Sequence, residues 1–195
     1  MYLRNRWYVA AWARELDDGP VGRTIMDEPI AFFRAKDGKV AALEDACAHR
    51  FMPLSLGTVE DGCLQCPYHG LRYDSAGACV HVPGQTQVPP GARVKSYPVA
   101  EKWRYVWIWM GDAALADPAS IPDWWWVDDP GWAHNPGAFL HIQCNYELIT
   151  DNLLDLSHLG YVHTKTIGNS AIVDFPVKTE RRDDRVRMSR WIEDR

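Results

Sequence analysis

Two residue pairs constrain this chain more than anything else in it: Cys47-Ala48-His49 and, after sixteen intervening residues, Cys66-Pro67-Tyr68-His69. Each pair offers one thiolate and one imidazole from a short loop. Pro67 inside the second pair and Gly70 just after it favour tight turns. Two such loops closing on each other would present a two-thiolate, two-imidazole donor set to an inorganic centre. A structural zinc site accepts the same ligand types, but zinc fingers usually pair Cys with Cys and His with His. Here each loop contributes one of each.

The spacing Cys-x-His, then Cys-x-x-His, is the signature of a Rieske [2Fe–2S] centre, in which two cysteines bind one iron and two histidines the other. Neutral imidazoles in place of two thiolates reduce the negative charge on the cluster and raise its potential. Single-electron transfer is the expected chemistry. Zinc, or ordinary packing of the four side chains, stands beside it as the plainer alternative.

The remaining composition narrows the setting. A formal charge of −5 and the lack of a basic stripe speak against nucleic acid as a partner. No apolar run approaches the roughly 20 residues that span a bilayer, so no membrane association is expected. Met1–Arg14 does not read as a signal peptide. Five cysteines, an odd number, do not suggest a disulfide framework. With Cys47 and Cys66 assigned to the centre, Cys63, Cys79 and Cys144 are expected as small, partly buried packing residues, and a reducing cytoplasm as the compartment.

The first hundred or so residues read as β. Ala31–Arg34 and Val40–Leu43 flank the hairpin signal Asp37-Gly38. Leu71–Tyr73 and Ala78–Val82 flank a second turn at Asp74–Gly77, and Arg93–Val99 and Tyr105–Trp109 complete the set. In the last, both faces are apolar, which predicts a central strand. The fold expected is a mainly β domain, a small antiparallel barrel or sandwich with two cluster-binding loops, over residues 1–115. Residues 116–195 are expected to hold a connector and the start of an α+β domain. Its tryptophan triplet, Trp124-Trp125-Trp126, reads as a hydrophobic clamp. His141–Tyr146 alternates like a strand, Glu147–Leu159 reads as a helix that Gly160 ends or distorts, and Val177–Arg195 as a surface hairpin around Asp183-Asp184.

That helix carries a second constellation: Asn152, Asp155, His158 and His163. The two histidines are five residues apart, about 140° around an ideal helix. They can share an ion only if the helix breaks between them, and Gly160 is placed there. Two histidines and a carboxylate make the facial triad of non-haem Fe(II) oxygenases. Asp155 suits a hydrogen bond to the ring N–H of a ligand histidine better than ligation. Taken alone, such a pair is more often surface or packing; a one-electron centre upstream changes that weighing.

With both motifs in view, the chain resembles the oxygenase component of the Rieske non-haem iron oxygenases, in the aromatic O-demethylase branch. The resemblance runs from Asn5–Ala10 through Cys66–Leu71 and Trp107–Trp109 to Cys144–Leu148, Asp151–His158 and Tyr161–His163. It implies that Cys47 and Cys66 ligate one cluster iron, His49 and His69 the other, and His158 and His163 a mononuclear Fe(II). Asp155 would link the cluster histidines to His158 across a subunit boundary in a head-to-tail homotrimer, a contact that closes into a ring. The third iron ligand of the family is an aspartate far downstream; Asp174, Asp183 and Asp184 do not match it. Ala48 and Met110 stand where proline is frequent in the family. Met52 and Tyr68 stand where respiratory Rieske proteins carry extra cysteines, and Leu71 where those carry a serine that bonds the cluster, which implies a lower potential.

The activity so implied is a monooxygenase. NADH would supply electrons through a separate reductase, since no Gly-rich dinucleotide fingerprint occurs here. O₂, two electrons and two protons would hydroxylate the methyl carbon of a methoxylated aromatic acid, and the resulting hemiacetal would release formaldehyde and leave a phenol. Two other readings stay open on sequence grounds: ring hydroxylation, and a Rieske ferredoxin-like electron carrier in which His158 and His163 are incidental.

Overall fold

The computed structural model of the chain describes residues 2–135, 137–168, 174–183 and 185–192. Contacts divide it into two compact units, 1–135 and 136–195.

The first unit contains β1 (Arg6–Trp12), β2 (Val21–Ile25), β3 (Glu28–Arg34), β4 (Val40–Glu44), β5 (Thr58–Glu60), β6 (Cys63–Gln65), β7 (Arg72–Tyr73), β8 (Cys79–His81), β9 (Ser96–Tyr97), β10 (Val99–Lys102) and β11 (Tyr105–Met110). They form three antiparallel sheets, ordered β1-β11-β10, β2-β3-β4-β9 and β5-β6-β7-β8. The antiparallel sandwich expected from the sequence is present.

Strand β3 shows why the sheets stack. Side chains alternate across a strand, and in β3 both faces are apolar. Ile30 and Phe32 enter one core with Ala42, Val106, Ile108 and Met110. Ala31 and Phe33 enter the other with Leu43, Leu54, Leu64 and Tyr73. All four β3 residues are fully buried, and each large one contributes about 1.5–3 kcal/mol of transfer free energy. The second core also holds Cys47 and Cys66. The sheet centred on β3 and β4 is therefore the floor on which the two Cys/His loops rest.

The β3–β4 connection is the expected Asp37-Gly38 turn. Gly38 adopts φ +78°, which a glycine takes without strain, and its N–H donates to Ala35 O at 2.9 Å. Strand β11 is central, with Val106 to Met110 all buried. Trp124 covers it, its ring 5.1 Å from Trp107 and 5.7 Å from Tyr105. Trp125 and Trp126 remain exposed and pack edge-on against each other.

The second unit has α1 (Tyr146–Leu154), a 3₁₀ turn (Leu156–His158), α2 (Leu159–Val162), and a hairpin of β12 (Lys178–Arg182) and β13 (Arg185–Ser189). The hairpin was expected; Asp184 and residues 193–195 lie outside the described residues, as does Pro136 in the connector. No described helix is long and apolar enough to cross a membrane.

Several local expectations are corrected. Arg93–Val99 is not one strand, because Pro98 separates β9 from β10. His141–Tyr146 is not a strand: its exposed alternation leads into α1, whose first turn is capped by Asn145 Oδ1 accepting from Glu147 N at 2.9 Å. The helix breaks at Asp155, not at Gly160, which lies within α2. Asp155 leaves helical geometry at φ −100°, ψ 94°, and its Oδ1 accepts from Ser157 N at 2.9 Å, ending one helix and starting the next turn. Cys144 is exposed rather than packed.

Gly57 shows how tightly the third sheet is drawn in. A Cβ added there would fall on the carbonyl oxygen of Gln65, the residue before Cys66 and the ladder partner of Thr58. Gly57→Ala is expected to force β5 from β6 and cost about 1–3 kcal/mol in urea unfolding of the metal-free chain; an unchanged midpoint would contradict this packing.

Candidate metal centres

The two ligand loops have the same backbone turn. In the first, Phe51 N–H donates to Cys47 O at 2.8 Å and Cys47 N–H to Met52 O at 2.9 Å. In the second, Gly70 N–H donates to Cys66 O at 3.0 Å and Cys66 N–H to Leu71 O at 2.8 Å. The fifth residue of each turn is left-handed: Gly70 at φ +72° and, against the usual preference, Phe51 at φ +54°. Two equivalent turns place the cysteines at matching positions, while His49 is the third residue of its turn and His69 the fourth.

The result is a division by depth. Cys47 and Cys66 are 1% and 2% exposed, within the core, whereas His49 and His69 lie at the surface. Their rings stand edge to face with centroids 4.7 Å apart. All five cysteines are free of disulfides. Burial pushes the Cys66 thiol up, the N–H groups of Tyr68 and His69 that bond to it act in the opposite direction, and the adjacent Cys47 raises it further. Those N–H groups would compensate a thiolate bound to a metal. The structure thus sets the two thiols beside each other in the core and the two imidazoles beside each other at the surface; two thiolates and two imidazoles are the donor types of a Rieske [2Fe–2S] cluster.

A further residue at this site was not singled out from the sequence. Tyr73, fully buried, places its hydroxyl 3.2 Å from Cys47 Sγ and accepts from Ala48 N at 3.1 Å. Burial, with the Cys47 contact, pushes its phenol well above the ordinary range. Its position in β7, opposite Leu64 of β6, depends on register and leaves no local sequence signal.

In the second unit, His158 and His163 have ring centroids 5.4 Å apart. His158 ends the 3₁₀ turn and His163 follows α2 with a non-helical φ of −106°, so the separation expected on an ideal helix does not apply. His158 Nδ1 lies 2.7 Å from Asp155 O. A carbonyl only accepts, so Nδ1 carries the proton and Nε2 is left as the acceptor nitrogen. Asp155 does orient the histidine, but through its main-chain carbonyl, a correction to the carboxylate contact expected within one chain. Its carboxylate is exposed and is held below the usual range first by Ser157, with His158 contributing less. Asn152 lies exposed in α1, and the structure gives its side chain no contact with the histidines. Among the described residues no set of three His, Cys, Asp or Glu side chains converges on one ion.

Comparison with known proteins agrees with both halves. Residues 6–98 match the model of the Rieske [2Fe–2S] domain, and residues 142–195 that of the vanillate O-demethylase oxygenase C-terminal domain. The chain thus carries a Rieske [2Fe–2S] domain followed by a region of the vanillate O-demethylase oxygenase C-terminal type, and its homologues include oxygenase components of demethylase and monooxygenase systems. It is 48% identical over 182 residues to the toluene-4-sulfonate monooxygenase system iron-sulfur subunit TsaM1 of Comamonas testosteroni, covering 93% of this chain and 52% of that protein. It is 46% identical over 193 residues to a vanillate O-demethylase oxygenase subunit of a Pseudomonas species, covering 99% and 54%. The crystal structure of dicamba monooxygenase bound to dicamba superposes with a TM-score of 0.89 at 46% identity, over 96% of this chain and 56% of that one. The chain spans about half the length of the curated relatives it matches.

Tyr73→Phe removes the hydroxyl that bonds to Cys47 Sγ and accepts from Ala48 N–H. It is expected to cost about 1 kcal/mol of stability in denaturant unfolding and to lower the potential of the reconstituted centre in a redox titration. A variant with wild-type stability and potential would contradict the assigned bond.

Proposed function

We propose that this chain forms the electron-entry part of an aromatic-acid monooxygenase. Cys47, Cys66, His49 and His69 would hold a [2Fe–2S] cluster, and His158 and His163 would supply two ligands to a mononuclear Fe(II). The observation that carries this reading is the pairing of two buried thiols with two surface imidazoles, in a chain that also sets two histidines side by side beyond the Rieske domain. When bound, the cluster supplies single electrons and the Fe(II) supplies open positions for O₂.

The chain's own residues have definable parts. The core around Cys47 and Cys66 excludes water from the sulfur side, and Tyr73 with the Tyr68 and His69 amides stabilises negative charge there. The exposed His49 and His69 edges are the route by which an electron leaves or enters. The Asp155 carbonyl fixes the tautomer of His158, while the Asp155 carboxylate keeps an acceptor facing solvent for a histidine of a second copy. A head-to-tail homotrimer, a separate NADH-dependent reductase as donor and a cytoplasmic setting complete the reading. The substrate class is a small aromatic acid, probed first with methoxylated benzoates, because the relatives are named for vanillate, dicamba and toluene-4-sulfonate.

The test is anaerobic reconstitution with excess ferrous iron, followed by metal analysis and a visible spectrum. About three irons per chain are expected; His158→Ala loses one, and His49→Cys changes the visible bands. A coloured protein whose iron content ignores His158→Ala would reduce the chain to an electron carrier, and a colourless zinc protein would remove the redox reading.

A further inference from the structure

The two ligand loops share one turn geometry but are closed at their bases in different ways. The second loop leaves β6 and returns as β7, and these strands pair through Leu64↔Tyr73 and Gln65↔Arg72. Its ends are held by a sheet ladder. The first loop leaves β4 and returns into the 3₁₀ turn Leu54–Leu56, which is not a strand, so no ladder joins its two ends. One carboxylate stands in that place. Asp45 Oδ1 accepts from Ser55 N at 2.7 Å, and Asp45 Oδ2 accepts from Ser55 Oγ at 2.5 Å. Both oxygens are engaged, and they join residues ten apart with Cys47 and His49 between them.

The neighbours keep this clamp in one geometry. Asp45 N–H donates to Pro29 O at 2.9 Å, which ties it to β3. Leu54, beside Ser55, is fully buried in the core that holds both cysteines. On the open side lies Gly22 of β2, where an added Cβ would sit 2.8 Å from Ser55 Oγ and 3.5 Å from Asp45 Oδ2. The clamp lies against bare backbone. Charge-assisted bonds of this kind are about twice as strong as neutral ones, and here both tighten the same closure.

We propose that Asp45, through Ser55, is a positioning residue that sets the placement of Cys47 and His49 at the cluster, doing for the first loop what the β6–β7 ladder does for the second. The proposal rests on the cluster reading above. It requires loop geometry rather than charge at residue 45. Asparagine can keep both contacts, its carbonyl accepting from Ser55 N–H and its amide donating to Ser55 Oγ, so it should substitute.

The experiment compares the reconstituted full chain with Asp45→Ala, Asp45→Asn and Ser55→Ala. Asp117→Ala serves as a control, since Asp117 caps a turn in the connector by accepting from Ala119 N at 2.9 Å. The readouts are the EPR spectrum of the reduced cluster and the rate at which a chelator bleaches its visible absorption, with circular dichroism to monitor the fold. Asp45→Ala is expected to bleach about tenfold faster, as loss of a charge-assisted bond would give, with a shifted EPR line shape. Ser55→Ala should fall between, Asp45→Asn should stay nearer the wild type than either because it keeps both contacts without the charge, and Asp117→Ala should match the wild type. Should Asp45→Ala not fold, Ser55→Ala against Asp45→Asn decides the matter. Wild-type bleaching and line shape in Ser55→Ala, or damage in Asp45→Asn equal to that in Asp45→Ala, would overturn the positioning role. A wild-type chain that takes up no [2Fe–2S] cluster would instead overturn the proposed function, and this role with it.

Discussion

Placing two thiols inside a hydrocarbon core is the constraint from which the rest of the first unit follows. Cys47 and Cys66 sit among Leu43, Leu54, Leu64 and Leu71, where a thiolate has no water to stabilise it and must find hydrogen bonds or a metal. The amides of Tyr68 and His69 and the Tyr73 hydroxyl meet part of that need. Holding the core itself falls to β3, whose two apolar faces join the outer sheets into one body. The histidines, neutral when they ligate, need no such protection and stand outside. A centre insulated on the sulfur side and accessible on the imidazole side is suited to exchange electrons with a partner while keeping solvent from the sulfurs.

Much of this was legible in the sequence because it is written in local signals. The four candidate ligand side chains announce themselves by spacing. Asp37-Gly38 and the turn Asp74–Gly77 mark hairpins, and the doubly apolar Tyr105–Trp109 marks a central strand. What escaped depends on longer-range or irregular features. Strand β1 carries a bulge between Val9 and Ala11, which puts Ala10 and Ala11 both in the core and erases the two-residue alternation that reveals a strand. Strands β5 and β6 have only three residues each, too few for a periodic pattern. Tyr73 and the Asp45–Ser55 pair act through register and chain return, which no window of sequence displays.

The second unit teaches the opposite lesson about helix signals. Gly160 is the residue that propensity marks as a breaker, yet Asp155 breaks the helix, because its side chain caps the following turn through Ser157 N and offers the backbone an alternative to helical bonding. That break frees the Asp155 carbonyl for His158 and lets His158 and His163 meet. A capping residue rather than a flexible one thus assembles the histidine pair.

In the proposed centre His49 and His69 ligate one iron of a two-iron cluster whose other iron is held by Cys47 and Cys66. Pulsed EPR of the reduced, reconstituted chain is the decisive measurement, because nitrogen couplings to the unpaired electron report imidazole ligation. Couplings from two imidazole nitrogens are expected, one removed by His49→Cys and the other by His69→Cys. A paramagnetic cluster without nitrogen coupling, or couplings indifferent to both substitutions, would contradict that ligation.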